Sequence, residues 1–441
     1  MLFRSGNDSI VGFKANSTLS ISGGKYSLET QNDKSILHIG DGAITIFGSN
    51  KGNIIGQRDI PVEELQEIYG DKLTVVSGSV ELGDEGAAVA VYEEDSAVDI
   101  VGGKGNDTLI ALGSAPITFD MSAGGADKIA LITANQNVTL ENYNPANGGG
   151  IATGNPNRAS MVEDIMAGTD TRFGNGKVSL KTSEETQSVF TLAENASPKG
   201  SAIINFFDAN NNILPVGFTN QLGGTVDVSN SDDDYLLLGN YFGEKSGGST
   251  LFGGSGNDTL LGGEGDLLDG EGGDNEIYLA GGGARIGLDN GGRTAVHNFQ
   301  TGFDGDALYS KGDIATRIRF DGENITASVN GGAQVTLESV ANDADFAELL
   351  MFTDEDSTKI AVAKPGGTIK SDSAQIYIGN EKGAGVDFSG MTDDLLVNLS
   401  DEPVVTGSDQ KQFFLINQVI AGDGNSTLIG KIGRASCRER V

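Results

Sequence analysis

The amino-acid sequence predicts an all-β fold in which short parallel β-roll segments alternate with antiparallel hairpin or sandwich spacers, with few short helices. Three observations predict it. The 441 residues include 66 glycines and only 8 prolines, without the period of three that marks collagen. A glycine-rich pattern of nine residues recurs along the chain. Between its copies lie apolar-rich runs separated by glycine turns, which are typical of β-hairpins.

The nine-residue pattern is complete at two places. Residues 253–261 read GGSGNDTLL and residues 102–110 read GGKGNDTLI, and both fit G-G-x-G-x-D-x-U-x, where U is apolar. The glycines allow a tight turn with exposed carbonyl oxygens, and the aspartate adds a carboxylate oxygen. Calcium binds six to eight such oxygens. On these motifs the chain resembles the RTX family, the hemolysin-type calcium-binding repeat proteins.

The resemblance implies that calcium lies between one turn and the next-but-one turn on the same edge of a roll. In the richest array, 249–278, Asp258 would then face Asp274 or Asn275, and Asp266 would face Ser249. On the downstream side Asp266 would face Ala284, which offers no side-chain ligand. The predicted metal-site residues, turn glycines included, are Gly253, Gly254, Gly256, Asp258, Gly262, Gly265, Asp266, Gly270, Asp274, Asn275, Gly102, Gly103, Gly105 and Asp107.

The predicted sites differ in quality. The positions 18 residues from Asp107 are Val89 and Gly125, which carry no side-chain ligand, although Asp127 lies close to the second. Asp8 follows a truncated turn. Because calcium affinity rises with ligand charge and site rigidity, we expect Asp258 to matter most for calcium, Asp107 less and Asp8 hardly at all.

The nine-residue step extends beyond the complete motifs. It relates Ile10 to Leu19, Ile100 to Leu109, Leu251 to Leu260 and Val419 to Leu428, which predicts at least two stacked coils in each array. A second repeat aligns 119–129, 226–236 and 386–396 without gaps. It shares two aspartates, Asp120, Asp227 and Asp387 at the first position and Asp127, Asp234 and Asp394 at the second. We interpret these segments as a strand followed by a solvated acidic turn.

The spacers carry local signals of their own. Residues 35–48 and 324–339 each contain two apolar-rich runs around a glycine turn, which predicts two hairpins that could cap the rolls. Short helices are predicted at 61–69, 159–167 and 342–352. The resulting segments are 1–60, 61–133, 134–225, 226–310 (the main roll), 311–365, 366–431 and 432–441.

Charge and composition exclude several functions. The formal net charge is −33, from 62 acidic residues against 29 lysines and arginines, so nucleic acid is disfavoured as a partner and cations are favoured. No apolar run reaches the length of about 18 residues that predicts a membrane span. The two histidines, His38 and His297, belong to no HExxH motif, and we expect both to be strand residues without a catalytic role.

Both ends of the sequence are unusual. The last ten residues, 432–441, read IGRASCRERV, carry the only cysteine (Cys437) and resemble a translated sequencing adapter. Only four residues precede SGNDSI (5–10), which is already the middle of a repeat. We therefore expect the chain to be an internal fragment of a longer protein.

The sequence as a whole predicts a non-catalytic, calcium-binding structural or adhesive segment of a large bacterial protein that is secreted or lies at the cell surface. Its expected partners are calcium and host or cell-surface glycans or proteins. One alternative is the repeat region of a secreted protease, lipase or polysaccharide-modifying enzyme whose catalytic domain lies elsewhere. A second alternative is a carbohydrate-binding module formed by the spacers.

Overall fold

The computed structural model is mostly β-strand, with parallel sheets interrupted by antiparallel hairpins, so the predicted fold class is confirmed. The chain divides into two compact units, Met1–Asn220 and Gln221–Val441. The structure describes residues 7–11, 18–31, 34–39, 42–47, 53–58, 60–92, 97–113, 115–130, 136–153, 157–167, 171–174, 176–181, 187–193, 201–220, 222–243, 247–288, 291–312, 317–329, 334–340, 344–392, 396–398, 411–422 and 427–429. Residues 432–441, Asp394 and Ser426 lie outside them.

The strands of the first unit, in chain order, are β1 (Asn7–Val11), β2 (Thr18–Gln31), β3 (Lys34–Ile39), β4 (Gly42–Phe47), β5 (Asn53–Arg58), β6 (Leu73–Val76), β7 (Val80–Glu81), β8 (Ala88–Val91), β9 (Val98–Val101), β10 (Thr108–Ala111), β11 (Pro116–Asp120), β12 (Lys128–Ala130), β13 (Asn137–Glu141), β14 (Gly150–Ala152), β15 (Thr171–Gly174), β16 (Lys177–Lys181), β17 (Gln187–Leu192), β18 (Ser201–Phe207) and β19 (Ile213–Thr219).

The strands of the second unit are β20 (Gly224–Asp227), β21 (Leu236–Leu238), β22 (Ser249–Phe252), β23 (Thr259–Gly263), β24 (Leu267–Asp269), β25 (Asp274–Ala280), β26 (Arg285–Gly287), β27 (Arg293–His297), β28 (Ala307–Tyr309), β29 (Arg317–Asp321), β30 (Asn324–Ser328), β31 (Gln334–Leu337), β32 (Phe346–Phe352), β33 (Ser357–Ala363), β34 (Thr368–Ile369), β35 (Ile376–Ile378), β36 (Gly385–Asp387), β37 (Leu396–Asn398), β38 (Gln412–Phe414), β39 (Gln418–Ile420) and β40 (Thr427–Ile429).

Stacked coils build the core of the first unit. Strands β6, β8, β10, β12 and β14 lie parallel in one sheet, and β7, β9, β11, β13 and β17 lie parallel in a second. The register places Leu109 between Val89 and Ile129, and all three side chains are buried. Since the chain alternates between the two sheets, each coil supplies one apolar rung to each side of a shared interior.

The second unit repeats this arrangement. Its first parallel sheet contains β21, β23, β25 and β27, and its second contains β20, β22, β24, β26 and β28. Leu260 lies between Leu237 and Ile277 in the first sheet, and these side chains have no exposed surface. The nine-residue step from Leu251 to Leu260 therefore leads from one sheet to the other within a single coil, so the prediction that these two positions belong to two stacked coils is wrong.

The two predicted hairpins are confirmed. Strand β3 pairs antiparallel with β4, and β30 pairs antiparallel with β31. In the first unit, strand β2 joins β3 and β5 in the same sheet, where Leu37 and Ile46 form a small buried core of their own. The second hairpin, extended by β29, continues the parallel sheet of the second unit through β27.

Two of the three predicted helices are confirmed and one is wrong. Helix α1 (Val62–Tyr69) buries Leu65, and helix α2 (Arg158–Ala167) buries Met161 and Ile165. The helix predicted at 342–352 is strand β32 over Phe346–Phe352; residues 342 and 343 lie outside the described residues. Its side chains alternate between buried and half-buried, and it pairs with β28 and β33, so sheet pairing overrides the local helix propensity. Within the described residues, no helix is long and apolar enough to cross a membrane.

Candidate functional site

The first complete nonapeptide forms the turn between β22 and β23. A side chain at Gly254 would place its Cβ 2.3 Å from the carbonyl oxygen of Ser231, and one at Gly256 would place it 2.3 Å from that of Asp233. Both contacts are with the turn of the preceding coil. The glycines are therefore required because successive turns stack backbone against backbone, closer than any Cβ allows.

The aspartate of this turn points into the protein. Asp258 is buried, and its Oδ1 accepts a hydrogen bond of 2.7 Å from the backbone N–H of Tyr235 in the preceding coil. Its Oδ2 accepts one of 2.8 Å from the N–H of Gly254 in its own turn. The carboxylate thus fixes the shape of its turn and at the same time joins that turn to its neighbour. Such charge-assisted bonds to buried amides are among the stronger hydrogen bonds in proteins.

The predicted partners of Asp258 lie where the 17-residue spacing puts them, but they face in different directions. The backbone N–H of Asp258 donates to Oδ1 of Asn275 at 2.8 Å, and Nδ2 of Asn275 donates to the carbonyl oxygens of Gly270 and Gly272. Asp274 points outward to an ion pair with Arg293 (2.7 Å), which lowers the pKa of its carboxyl group. The described contacts therefore do not bring the Asp258 and Asp274 carboxylates to one point.

The second nonapeptide repeats the inward geometry. Asp107 is buried; its Oδ1 accepts the N–H of Ala87 (2.7 Å) from the preceding coil, and its Oδ2 accepts the N–H of Gly103 (2.8 Å) from its own turn. Gly103 and Gly105 contact the preceding turn so closely that an added Cβ would lie 2.0 Å from Gly83 and 2.1 Å from Gly86. At Gly102 the nearest atom would be 3.2 Å away, so this glycine is less constrained.

Asp127 continues the same row of turn residues one coil further on. Its Oδ1 accepts the backbone N–H of Asp107 at 2.9 Å, while its Oδ2 is buried without a hydrogen-bond partner within the described residues. Burial raises the pKa of this carboxyl group to about 6, and the nearby Asp107 adds to the effect. The sequence places Asp127 close to the position 18 residues after Asp107 but not at it, because the coil here is 20 residues long.

Asp266 makes the predicted contact with Ser249. Its buried carboxylate accepts the N–H of Ser249 at 2.7 Å on Oδ1 and that of Gly263 at 3.0 Å on Oδ2, where the N–H of Asn240 also donates. The N–H of Ala284, predicted to face Asp266, donates to Oδ1 of Asp306 at 2.9 Å. Asp306 is a further buried turn aspartate that the motif search does not identify, and burial raises the pKa of its carboxyl group.

Three other predicted glycines have separate structural reasons. Gly262 allows the side chain of Leu268 to pack at 2.6 Å from where a Cβ would lie, and Gly270 does the same for Asn275 at 2.7 Å. Gly265 has a φ of +82°, which disfavours other residues.

The second repeat forms the same local turn at each of its copies. Oδ1 of Asp120, Asp227 and Asp387 accepts the backbone N–H two residues further on, from Ser122, Ser229 and Ser389 respectively. These are Asx-turns that end strands β11, β20 and β36. The bond from Ser389 lowers the pKa of the Asp387 carboxyl group. The shared aspartate and serine are thus explained by turn formation.

The two histidines lie in strands, as predicted. Nε2 of His38 lies 3.2 Å from Glu29 on the neighbouring strand. The ring of His297 stacks on Tyr278 with centroids 4.4 Å apart, contacts Glu276 through Nε2 and lies 3.2 Å from Glu338 through Nδ1. Both ring nitrogens of His297 therefore contact surface carboxylates, and these contacts hold the side chains on this face of the sheet in place.

Within the described part of the chain, no group of three or more His, Cys, Asp or Glu side chains is arranged to hold a metal ion. The inward carboxylates have amide donors, and the carbonyl of Gly254 accepts the N–H of Gly272 at 2.8 Å. The predicted side-chain ligands therefore do not form a ready calcium site, and calcium binding stays a prediction. No protein-family model matches this chain, and no curated protein matches its sequence.

Proposed function

We propose that this chain is a non-catalytic structural segment: a stack of β-coils that serves as a spacer or display scaffold in a bacterial protein that is secreted or lies at the cell surface. The observation that carries the proposal is the set of hydrogen bonds that the turn aspartates accept. Asp107, Asp258 and Asp266 each accept one N–H from their own turn and at least one from a neighbouring coil. The most distinctive residues of the sequence thus act in coil-to-coil cohesion.

This role follows from the energetics of buried polar groups. A backbone N–H left unpaired in a dry turn costs about 1–3 kcal/mol, and a buried carboxylate without donors costs more. Pairing the two removes both costs at Asp107, Asp258 and Asp266. When the turns of a stack satisfy one another's hydrogen bonds in this way, no further secondary-structure element is needed to cover them. This arrangement suits a spacer built from repeated coils.

Calcium binding at these turns and an adhesive role for the whole protein remain separate proposals. The first rests on the two complete nonapeptides, and the second rests on the resemblance to the RTX family. The scaffold role of the coils depends on neither of them, whereas the bacterial, secreted or cell-surface setting rests on the same resemblance. The alternative, an enzyme whose catalytic domain lies elsewhere, is distinguished by a catalytic motif in the flanking sequence of the intact gene.

Hydrogen exchange in a calcium chelator tests the scaffold proposal. The amides of Tyr235 and Gly254 donate to Asp258, so we expect them to exchange as slowly as the amides of strand β23. The measurement is amide exchange by mass spectrometry or NMR on the full chain. Fast exchange at both amides, with β23 still protected, would show that the turns are not part of the cohesive structure.

A further inference from the structure

A cleft in the second unit has a charge balance opposite to that of the chain. It has a volume of about 1010 Å³ and lies between the β29–β30–β31 sheet segment and strands β33, β35 and β38. Its lining includes Arg317 and Arg319 but only one acidic residue, Glu381. In the whole chain, by contrast, the 62 acidic residues outnumber the 29 lysines and arginines. A size near the upper end of ligand pockets permits an extended small molecule.

The two arginines are placed to act together. They are two residues apart in β29, so they project from one face of the strand about 7 Å apart. Both are exposed, and neither has an ion-pair partner within the described residues. Arg293, in contrast, is paired with Asp274. Arginine forms bidentate hydrogen bonds with carboxylates, so the pair can hold two carboxylates along the strand.

Hydroxyl and amide side chains surround the arginines. Ser328 pairs across the sheet with Arg317 and with Gln334, and Thr326 pairs with Arg319. Residues opposite one another on neighbouring strands share a face, so these side chains lie beside the guanidinium groups. Across the cleft, Gln412 adds a further amide. Such groups can exchange hydrogen bonds with a ligand rich in hydroxyl groups.

The opposite wall also presents apolar surface. Phe414 is 45% exposed and Leu415 is 61% exposed, and Leu415 has a φ of +56° that few side chains adopt. Beside them, Ile378 is half-buried. An aromatic ring and aliphatic groups facing two cations match a ligand with both carboxylates and C–H faces, which describes a sugar acid better than a simple anion.

We propose that this cleft binds a carboxylated oligosaccharide, with Arg317 and Arg319 holding carboxylates of the sugar units and Thr326, Ser328 and Gln334 holding their hydroxyl groups. An acidic peptide would pair its carboxylates with the arginines. Only its backbone would then remain to form hydrogen bonds with these hydroxyl and amide groups. The proposal goes beyond the scaffold role, and the cleft residues take no part in the turn contacts on which that role rests.

Isothermal titration of the full chain with tetragalacturonate, at low ionic strength, tests the proposal. We expect measurable binding that weakens at least tenfold in the double variant Arg317→Gln/Arg319→Gln, since two charge-assisted contacts are lost. The fully methyl-esterified tetrasaccharide should also bind at least tenfold more weakly. The matched control is Arg293→Gln, which removes one exposed arginine of the same unit and should change the affinity less than twofold.

The double variant Arg317→Lys/Arg319→Lys guards against a folding artefact, because it keeps the charge and loses only the planar guanidinium groups. Its affinity should lie between those of the original chain and the glutamine variant, with an unchanged circular dichroism spectrum. Absence of binding, equal binding of the methyl ester, or an equal loss in Arg293→Gln would overturn the proposal. Equally tight binding of a tetraglutamate peptide would overturn the assignment to a saccharide.

Discussion

The backbone N–H of Asp107 donates to Oδ1 of Asp127, which joins two buried aspartates in successive coils. The equivalent contact in the second unit joins the N–H of Asp258 to Oδ1 of Asn275. The turn residue that accepts this N–H can therefore be either an aspartate or an asparagine, and the two side chains have different consequences for stability.

Asp127→Asn should stabilise the protein at neutral pH. The pKa of the Asp127 carboxyl group is raised from 3.8 to about 6 in the folded state, mainly by burial. The folded state therefore binds this proton more tightly than the unfolded state, and its stability falls as the pH rises from about 4 to about 6, then stays level. Removing the charge should recover on the order of 2 kcal/mol at pH 7.5. Asn275 shows that an amide suits such a turn, because its Nδ2 donates to two carbonyl oxygens.

The measurement for Asp127→Asn is urea unfolding at several pH values, taken as the difference between variant and original chain. The difference should grow between pH 4 and pH 6. Asp99→Asn, at an exposed position of strand β9, is the control and should change the free energy of unfolding little at pH 7.5. A variant that is less stable at pH 7.5 and shows no change with pH would contradict the burial argument.

Asp258→Ala should destabilise the second unit even in a chelator. It leaves the buried N–H groups of Tyr235 and Gly254 without their acceptor, at a cost of roughly 2–4 kcal/mol in the free energy of unfolding. Asp274→Ala, which removes one of the two predicted partners of Asp258, breaks only an exposed ion pair and should cost less than about 1 kcal/mol. Urea unfolding in EDTA measures both. If both variants lowered the free energy of unfolding equally, the inward contacts of Asp258 would contribute no more than an exposed ion pair.

Gly254→Ala should also destabilise, for a steric reason. The new Cβ would lie 2.3 Å from the carbonyl oxygen of Ser231, so the two turns must separate. Such overpacking costs roughly 1–3 kcal/mol. Gly291→Ala is the matched control, since a Cβ there meets no atom of the described residues within 4 Å. Thermal melting followed by circular dichroism compares the two, and a Gly254→Ala melting temperature equal to that of the control would refute the close stacking of turns.

Calcium should raise the melting temperature more than magnesium does, by mass action on the folded state, because magnesium demands octahedral geometry and keeps its waters. In a chelator, however, we expect the β-sheet signal in circular dichroism to persist, since the described turn carboxylates have amide donors. Equal effects from both ions, or none from either, would count against calcium at the nonapeptides. Loss of the β-sheet signal in the chelator would show that the amide contacts alone do not hold the coils.

The sequence predicts the stacking well because stacking depends on spacing. The step from Asp258 to Asn275 follows from the length of a coil, and the structure reproduces it, whereas the nine-residue step from Leu251 to Leu260 covers only half a coil. The direction of the carboxylate is a different matter. The motif specifies an aspartate after a glycine turn, but whether its oxygens meet an ion or an amide depends on the neighbouring turn, which the motif does not contain.

The missed elements have similar causes. Asp127 and Asp306 accept the N–H groups of Asp107 and Ala284, 20 and 22 residues earlier, so a regular 18-residue coil predicts neither contact, although it brings Asp127 close to Asp107. The segment 346–352 contains good helix formers, yet Ala347, Leu349 and Met351 alternate into the core, and only the neighbouring strands decide between the two states. The cleft residues Arg317 and Arg319 are brought opposite Gln412 and Phe414 by tertiary structure alone.

The unequal lengths of the coils bear on how such a protein can change in evolution. Contacts between turn residues span 17 residues from Ser249 to Asp266 and 22 from Ala284 to Asp306, yet the contact itself is the same N–H to carboxylate bond. The extra residues lie between the end of strand β27 at His297 and Asp306, in the same turn as the carboxylate, so a turn can lengthen and still make its contact with the neighbouring coil. Each turn forms hydrogen bonds only with the turns next to it. Duplication or loss of one complete coil, encoded in the gene, therefore leaves every remaining N–H and carboxylate group with a partner. The reach of the protein can therefore change in whole-coil steps while its interior chemistry stays constant.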